Sequence, residues 1–142
     1  MSSEQRKNMD LTIKDIVTPV LKEQGFKGSF PHFRRKNEDN IDLITFQFNR
    51  WGGSFVVELA ICPLEGITMD WGEGIKPNKV TAHHVNQRFR LGAMSEEEDG
   101  IWFNFEEAKT KQDFEEVATN VLNLLNTSDP KWISNLFKEP IG

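Results

Sequence analysis

The chain contains no tyrosine, which excludes any mechanism that needs a phenol. It has a single cysteine, Cys62, so no intrachain disulfide can form, and a lone thiol suits a reducing compartment. Long apolar runs are missing too. The longest mainly apolar segment, "FVVELAIC" (55–62), is far too short to span a bilayer and carries Glu58. The opening "MSSEQRKN" lacks the apolar stretch of a secretory signal. The expectation is a cytoplasmic protein with no membrane association. The 142 residues suit a single domain, 1–142, able to bury a core without disulfides or metal. No internal repeat or low-complexity segment interrupts it.

Signatures of chemistry are equally scarce. "DWGEG" (70–74) holds a bare Gly-x-Gly, with no following Gly-Lys-Ser/Thr and no strand–turn–helix context. "KGSFP" and "GGSFV" both lack the glycine that would complete a nucleophile elbow. His83 and His84 are adjacent, so on an extended chain their rings point to opposite sides, and His32 is remote in sequence. No metal and no cofactor is expected. Cys62 has no activating neighbour in sequence and reads as a small buried hydrophobe.

Charge is present but uneven. The net charge is −5. Residues 1–25 are balanced, residues 26–90 carry nine bases against seven acids, and residues 91–142 carry eleven acids against four bases. An acidic total argues against general nucleic-acid binding, which draws on neutralising phosphates. The middle segment still has the composition for a local basic patch.

The pattern along the chain predicts α+β. Apolar positions Leu11, Ile13, Ile16, Val17, Val20 and Leu21 mark a helix that Gly25 ends, with Pro19 expected to kink or divide it near Thr18. "SFPHFRRK" (29–36) reads as a short strand with Pro31 near an edge, and "NEDN" (37–40) as a turn. "IDLITFQFNR" and "SFVVELAIC" read as strands joined by a hairpin turn at Trp51, Gly52 and Gly53. Residues 63–84 lose periodicity and read as a long loop. "NQRFRLGAM" is a strand, "SEEEDG" its turn, and "GIWFNF" another strand. Thr110 and Asp113 resemble a capping box before a helix whose apolar face runs from Phe114 to Leu125. A second short helix starts near Ser128-Asp129-Pro130 and packs through Trp132, Ile133, Leu136 and Phe137. The architecture expected is an N-terminal helix, a mainly antiparallel sheet of about five strands, and two C-terminal helices on one sheet face.

Alternation divides each strand into two faces. One collects Ile44, Phe46, Phe48, Phe55, Val57, Leu59, Ile61, Phe89, Leu91, Ile101, Phe103 and Phe105, and is the core face. The other collects Thr45, Gln47, Asn49, Val56, Glu58, Ala60, Arg88, Arg90, Trp102 and Asn104. Arg34 or Arg35 joins it from the first strand, depending on register. Arginine offers a planar fork for carboxylate or phosphate, and Trp102 a stacking surface. A solvated face with cross-strand Arg–Glu pairs is the plainer reading of the same residues.

The motifs "PVLKEQGF" (19–26), "FRR" (33–35), "ITFQFNRWGGSF" (44–55), "RFRLGAM" (88–94) and "GIWFNF" (100–105) occur in an order that resembles the bacterial proteins grouped as domain of unknown function 4304. The family often has paired tryptophans where this chain has Trp102-Phe103. The resemblance implies no activity. Its motif positions Gln47, Arg88 or Arg90, and Trp102 fall on the second face, and Trp51 caps the hairpin beside them. The expected ligand-binding set is therefore Arg34, Gln47, Arg50, Trp51, Arg88, Arg90 and Trp102.

Two functions of different class fit these residues. The first is a non-catalytic binding or protein-interaction domain whose partner, a protein or a small anionic ligand, docks on the Arg/Gln/Trp face. The second is an enzyme acting on a phosphorylated or carboxylated small molecule, with residues 63–84 as a lid. There Arg88 and Arg90 would hold the anion, and His83, Asp70 or Glu73 would transfer a proton. Single-stranded nucleic acid stacking on Trp51 and Trp102 is disfavoured by an isoelectric point near 5.2.

Overall fold

The structure, a computed structural model, describes residues 3–85, 88–92 and 101–127. Helix α1 spans Ser3–Glu23. Met9, Ile13, Val17 and Leu21, spaced four apart, are its fully buried stripe. Gly25 follows with φ +94°, and the Phe26 N–H donates to the Leu21 carbonyl at 3.0 Å, closing the helix as such a left-handed residue does. Pro19 does not divide the helix. It is exposed, as is Asp15, whose carbonyl loses its donor to the proline, so water can replace the missing bond.

The main sheet is antiparallel. Strands β1 (Lys27–Ser29) and β2 (His32–Lys36) pair through Ser29↔His32, so "SFPHFRRK" is not one strand. The chain reverses at Phe30 and a cis Pro31, a residue suited to a tight turn but not to a ladder. Strands β3 (Ile41–Phe48) and β4 (Ser54–Cys62) pair from Ile41↔Cys62 to Phe48↔Phe55. Gly52 and Gly53, both at positive φ, make the turn between them.

Residues 63–85 carry structure that their composition hides. Strands β5 (Ile67–Thr68) and β6 (Gly74–Ile75) form a two-stranded hairpin, followed by a 3-10 turn at Ala82–His84. Beyond it, β7 (Phe89–Arg90) and β8 (Phe103–Asn104) both run antiparallel to β4, at Glu58↔Arg90 and Phe55↔Phe103. They therefore point the same way and lie end to end on one edge, rather than facing each other across a hairpin. The Ile101 N–H donates to the Leu91 carbonyl, and the Leu91 N–H to that of Val57. The expected "SEEEDG" turn lies outside the described residues.

Helix α2 spans Lys111–Thr127. Thr110 Oγ1 accepts from the Asp113 N–H at 3.1 Å while Asp113 Oδ2 accepts from the Lys109 and Thr110 N–H groups, a reciprocal cap. Those two backbone N–H groups hold the Asp113 carboxyl below the usual carboxylate range. The second C-terminal helix, expected from Ser128, lies outside the described residues.

Helices α1 and α2 pack on the core face, where Ile44, Phe46, Phe55, Val57, Leu59, Leu91, Phe103 and Phe105 are buried with Phe114, Val121 and Leu125. Each such side chain contributes roughly 1.5–3 kcal/mol by leaving water. Ile101 departs from this face: it is exposed and lies against Gly92. The side chain of Phe89 lies outside the description. The opposite face is covered at one end as well. Ile41, Leu43, Ala60 and Cys62 are buried beneath Val80 and Ala82, flanked by Leu64, Ile67, Ile75 and Val85. The register also settles the arginines of β2. Arg34 pairs with Leu43 on this second face, and Arg35 with Asp42 on the core face.

Asp42 is buried, and its Oδ2 accepts from Arg35 Nη2 at 3.0 Å, Arg35 Nε at 3.2 Å and Asn37 Nδ2 at 3.2 Å. Arg35 also reaches the Gln24 carbonyl at 3.0 Å and lies 4.6 Å over the Phe26 ring, tying the end of α1 to the sheet. Removing one partner of a buried ion pair strands the other charge. Arg35→Ala is expected to lower unfolding free energy by about 3 kcal/mol in urea titrations, and adding Asp42→Asn should recover part of that loss. The second core makes its own prediction. Burial, with Glu65 nearby, pushes the Cys62 thiol up to about 11, so at pH 8 it should label on the order of 100-fold more slowly in the native protein than in denaturant.

Candidate functional site

Glu58 is the centre of the second face. It stands mid-strand in β4, where alternation turns Val57 and Leu59 to the helices and Glu58 away from them. The residue is only 3% exposed. A carboxylate so placed must be met by cations or donors, and three side chains meet it. Arg88 Nη1 donates to Oε2 at 3.1 Å. His83 Nε2 stands 3.3 Å from that same oxygen, and Arg90 Nε stands 3.5 Å from Oε1.

Each partner is set by its own element. Arg90 faces Glu58 by register across β4 and β7, and Arg88 is two residues earlier on the same side. His83 is presented by the 3-10 turn. Ala82 anchors that turn in the second core, and the Thr81 N–H donates to His84 Nδ1 at 2.9 Å. Arg34 fixes the approach to the turn by donating from Nε to the Val80 carbonyl at 3.1 Å.

A second histidine adjoins the cluster. His32 on β2 lies opposite Thr45, with Nδ1 and Thr45 Oγ1 3.0 Å apart. Its ring meets that of His83 edge to face, 5.7 Å between centroids. Burial pushes the His32 imidazole below its ordinary value, and His83, Arg34 and His84 add to the shift because each would oppose a second positive charge.

Of the residues expected from sequence, three converge. Arg88 and Arg90 share Glu58, and the Arg90 guanidinium lies 5.2 Å over the Trp102 ring. Gln47 is exposed one row nearer the β3–β4 turn, opposite Val56. Arg50 stacks 4.9 Å over Trp51 at the turn itself, where Trp51 is 81% exposed. Arg34 lies on the same face but toward its covered end, as a clasp on the Val80 carbonyl. Asp70 and Glu73 are exposed at the β5–β6 turn, and of the three proton-transfer candidates only His83 contacts Glu58.

Three residues of the cluster stand outside the expected ligand-binding set: His83, named only as a proton-transfer candidate, Glu58 and His32. Glu58 carried a signal, being the one charge inside an apolar strand. His32 carried none, because its pairing with His83 joins two elements that are far apart in sequence. Among the described residues, one buried carboxylate is answered by two guanidiniums, beside a half-exposed indole. The arginines are 37% and 33% exposed, so both still reach solvent. Among the described residues no group of three metal-ligating side chains occurs, and no described helix is long and apolar enough to cross a membrane.

No curated protein and no solved structure matches the chain. A family model does: that of the domain of unknown function DUF4304 matches residues 17–135, a span that includes Glu58, Arg88, Arg90, His32, His83 and Trp102. By that coverage the chain belongs to the DUF4304 family.

Proposed function

We propose that this chain is a non-catalytic binding domain of the cytoplasm, and that it recognises an oxyanion, a carboxylate or a phosphate, on a partner that docks over Arg88, Arg90 and Trp102. The observation that carries this reading is the two-to-one ratio of guanidiniums to carboxylate at Glu58, with both guanidiniums partly open to solvent. Glu58 orders the forks of the arginines without neutralising them, and arginine forks match planar oxyanions. Trp102, stacked on Arg90, offers a surface for a flat or apolar group next to the anion. Gln47 extends the same face with amide donors.

A second reading draws on His83. With Nε2 at 3.3 Å from the Glu58 carboxylate, its imidazole is placed as an oriented general base would be, and a phosphorylated or carboxylated small molecule held by Arg88 and Arg90 would be its substrate. The binding reading is preferred because the hydroxyl opposite Glu58, that of Thr45, is fully buried and so is closed to a substrate.

A thermal-shift screen of metabolites and acidic peptides tests both. Acidic compounds should raise the melting temperature by mass action, whereas hits confined to neutral or cationic compounds would overturn the binding reading. Turnover of a hit would favour the enzyme. Arg88→Ala with Arg90→Ala should abolish the shift, but it also leaves the Glu58 carboxylate buried without a guanidinium, at an expected loss of about 3 kcal/mol in stability. Adding Glu58→Gln to the pair should restore most of that stability without restoring binding, which separates loss of the site from loss of the fold.

A further inference from the structure

Arg88 and His83 share one oxygen of Glu58, the Oε2 atom, at 3.1 and 3.3 Å, while Arg90 alone approaches Oε1 among the described residues. The carboxylate cannot follow a partner outward, because it is buried within β4. Arg88 can move: its side chain is long, and it is 37% exposed. The strength of the His83 contact depends on a proton. A neutral imidazole offers Glu58 an ordinary hydrogen bond at most, while an imidazolium offers a charge-assisted one roughly twice as strong. Histidine ordinarily makes that change between pH 5 and 8.

Resting on the reading of this patch as an oxyanion site, we propose that anion capture here is coupled to a proton: protonated His83 takes over Oε2 of Glu58 and releases the Arg88 guanidinium to the incoming anion. The charge balance supports this order of events. Glu58 on β4 is the one described acid that contacts His83. Around the pair stand Arg90 on β7 and Arg88 just before it, His32 and Arg34 on β2, and His84 in the turn itself; β3 contributes the neutral Thr45. A further cation in this group is unfavourable until an anion arrives from solution to balance it. Binding and protonation therefore promote each other. His32 is held below its ordinary value by burial and then by His83, so it resists taking a second positive charge beside His83.

The His32 shift acts in the opposite direction on stability. Its folded-state value lies below the ordinary 6.5, so the unfolded chain binds that proton first. Its contribution is fully present above pH 6.5 and is lost as pH falls through the folded value. Falling pH should therefore weaken the ligand-free fold while tightening anion binding.

Benzoate and sulfate serve as probes, since neither changes charge between pH 5.5 and 7.5. Both supply the oxyanion, and benzoate alone brings a ring for Trp102. Their binding is followed by nuclear magnetic resonance at constant ionic strength on the full chain. From pH 7.5 to 5.5 the wild-type affinity should rise on the order of tenfold, with proton uptake visible by calorimetry in two buffers of different ionisation enthalpy. His83→Gln should still bind but with a flat pH profile; His32→Gln should keep the slope. A pH-independent affinity in the wild type, or an unchanged slope in His83→Gln, overturns the coupling and leaves the oxyanion site standing. Loss of the slope in His32→Gln overturns the assignment to His83. Absence of binding by both probes at every pH overturns the site, and the coupling with it.

Discussion

A carboxylate in the middle of a buried strand is a demand that the rest of the structure must meet. Leaving such a charge unanswered in low dielectric would cost several kcal/mol, so the chain must bring cations to Glu58 from wherever the topology allows. It brings them from two places. The edge strand β7 delivers Arg90 by register, with Arg88 just ahead of the strand, and the segment after β6 delivers His83 by packing. The second face of the sheet is organised around that demand. Its far end is sealed by a small apolar core, and its near end stays open at the guanidiniums and Trp102.

The two buried carboxylates of the sheet make an instructive contrast. Asp42 on the core face is met by Arg35, whose side chain is 12% exposed and also spans to the Gln24 carbonyl and the Phe26 ring. Arg35 there joins the end of α1 to the sheet. Glu58 on the other face is met by guanidiniums about three times more exposed. The same chemistry thus serves as a rivet at one place and as a prepared surface at the other, and what differs is how much of the arginine water can reach.

Where alternation was strong, the fold was legible in the sequence. The β3–β4 hairpin, its glycine turn, the buried faces of both strands and the cap of α2 all follow from local pattern. Three features were not legible, each for a physical reason. Pro31 in "SFPHFRRK" suits a strand edge as well as a turn, and no glycine marks the reversal, so nothing local distinguishes a strand from a reversal. The sequence of β7 and β8 is the same whether they pair with each other or both with β4, since register is a long-range choice. The cover over residues 41–62 comes from single apolar residues, Leu64, Ile67, Ile75, Val80 and Ala82, spaced too widely to show a period. The site was half legible. The arginines and Trp102 fall on one face by counting, but their common anchor at Glu58 and its link to His32 exist only once distant segments meet.

The end-to-end placement of β7 and β8 carries one more implication. Each has its own ladder bonds to β4, and the chain leaves Leu91 and returns at Ile101 almost to the same point, with the Ile101 N–H on the Leu91 carbonyl. Both ends are thus held by β4 itself, each through its own ladder. Arg90 and Trp102 would keep their stacking whatever the size of the intervening segment. The edge that bears Arg90 and Trp102 is therefore set by β4 rather than by the stretch of chain between them.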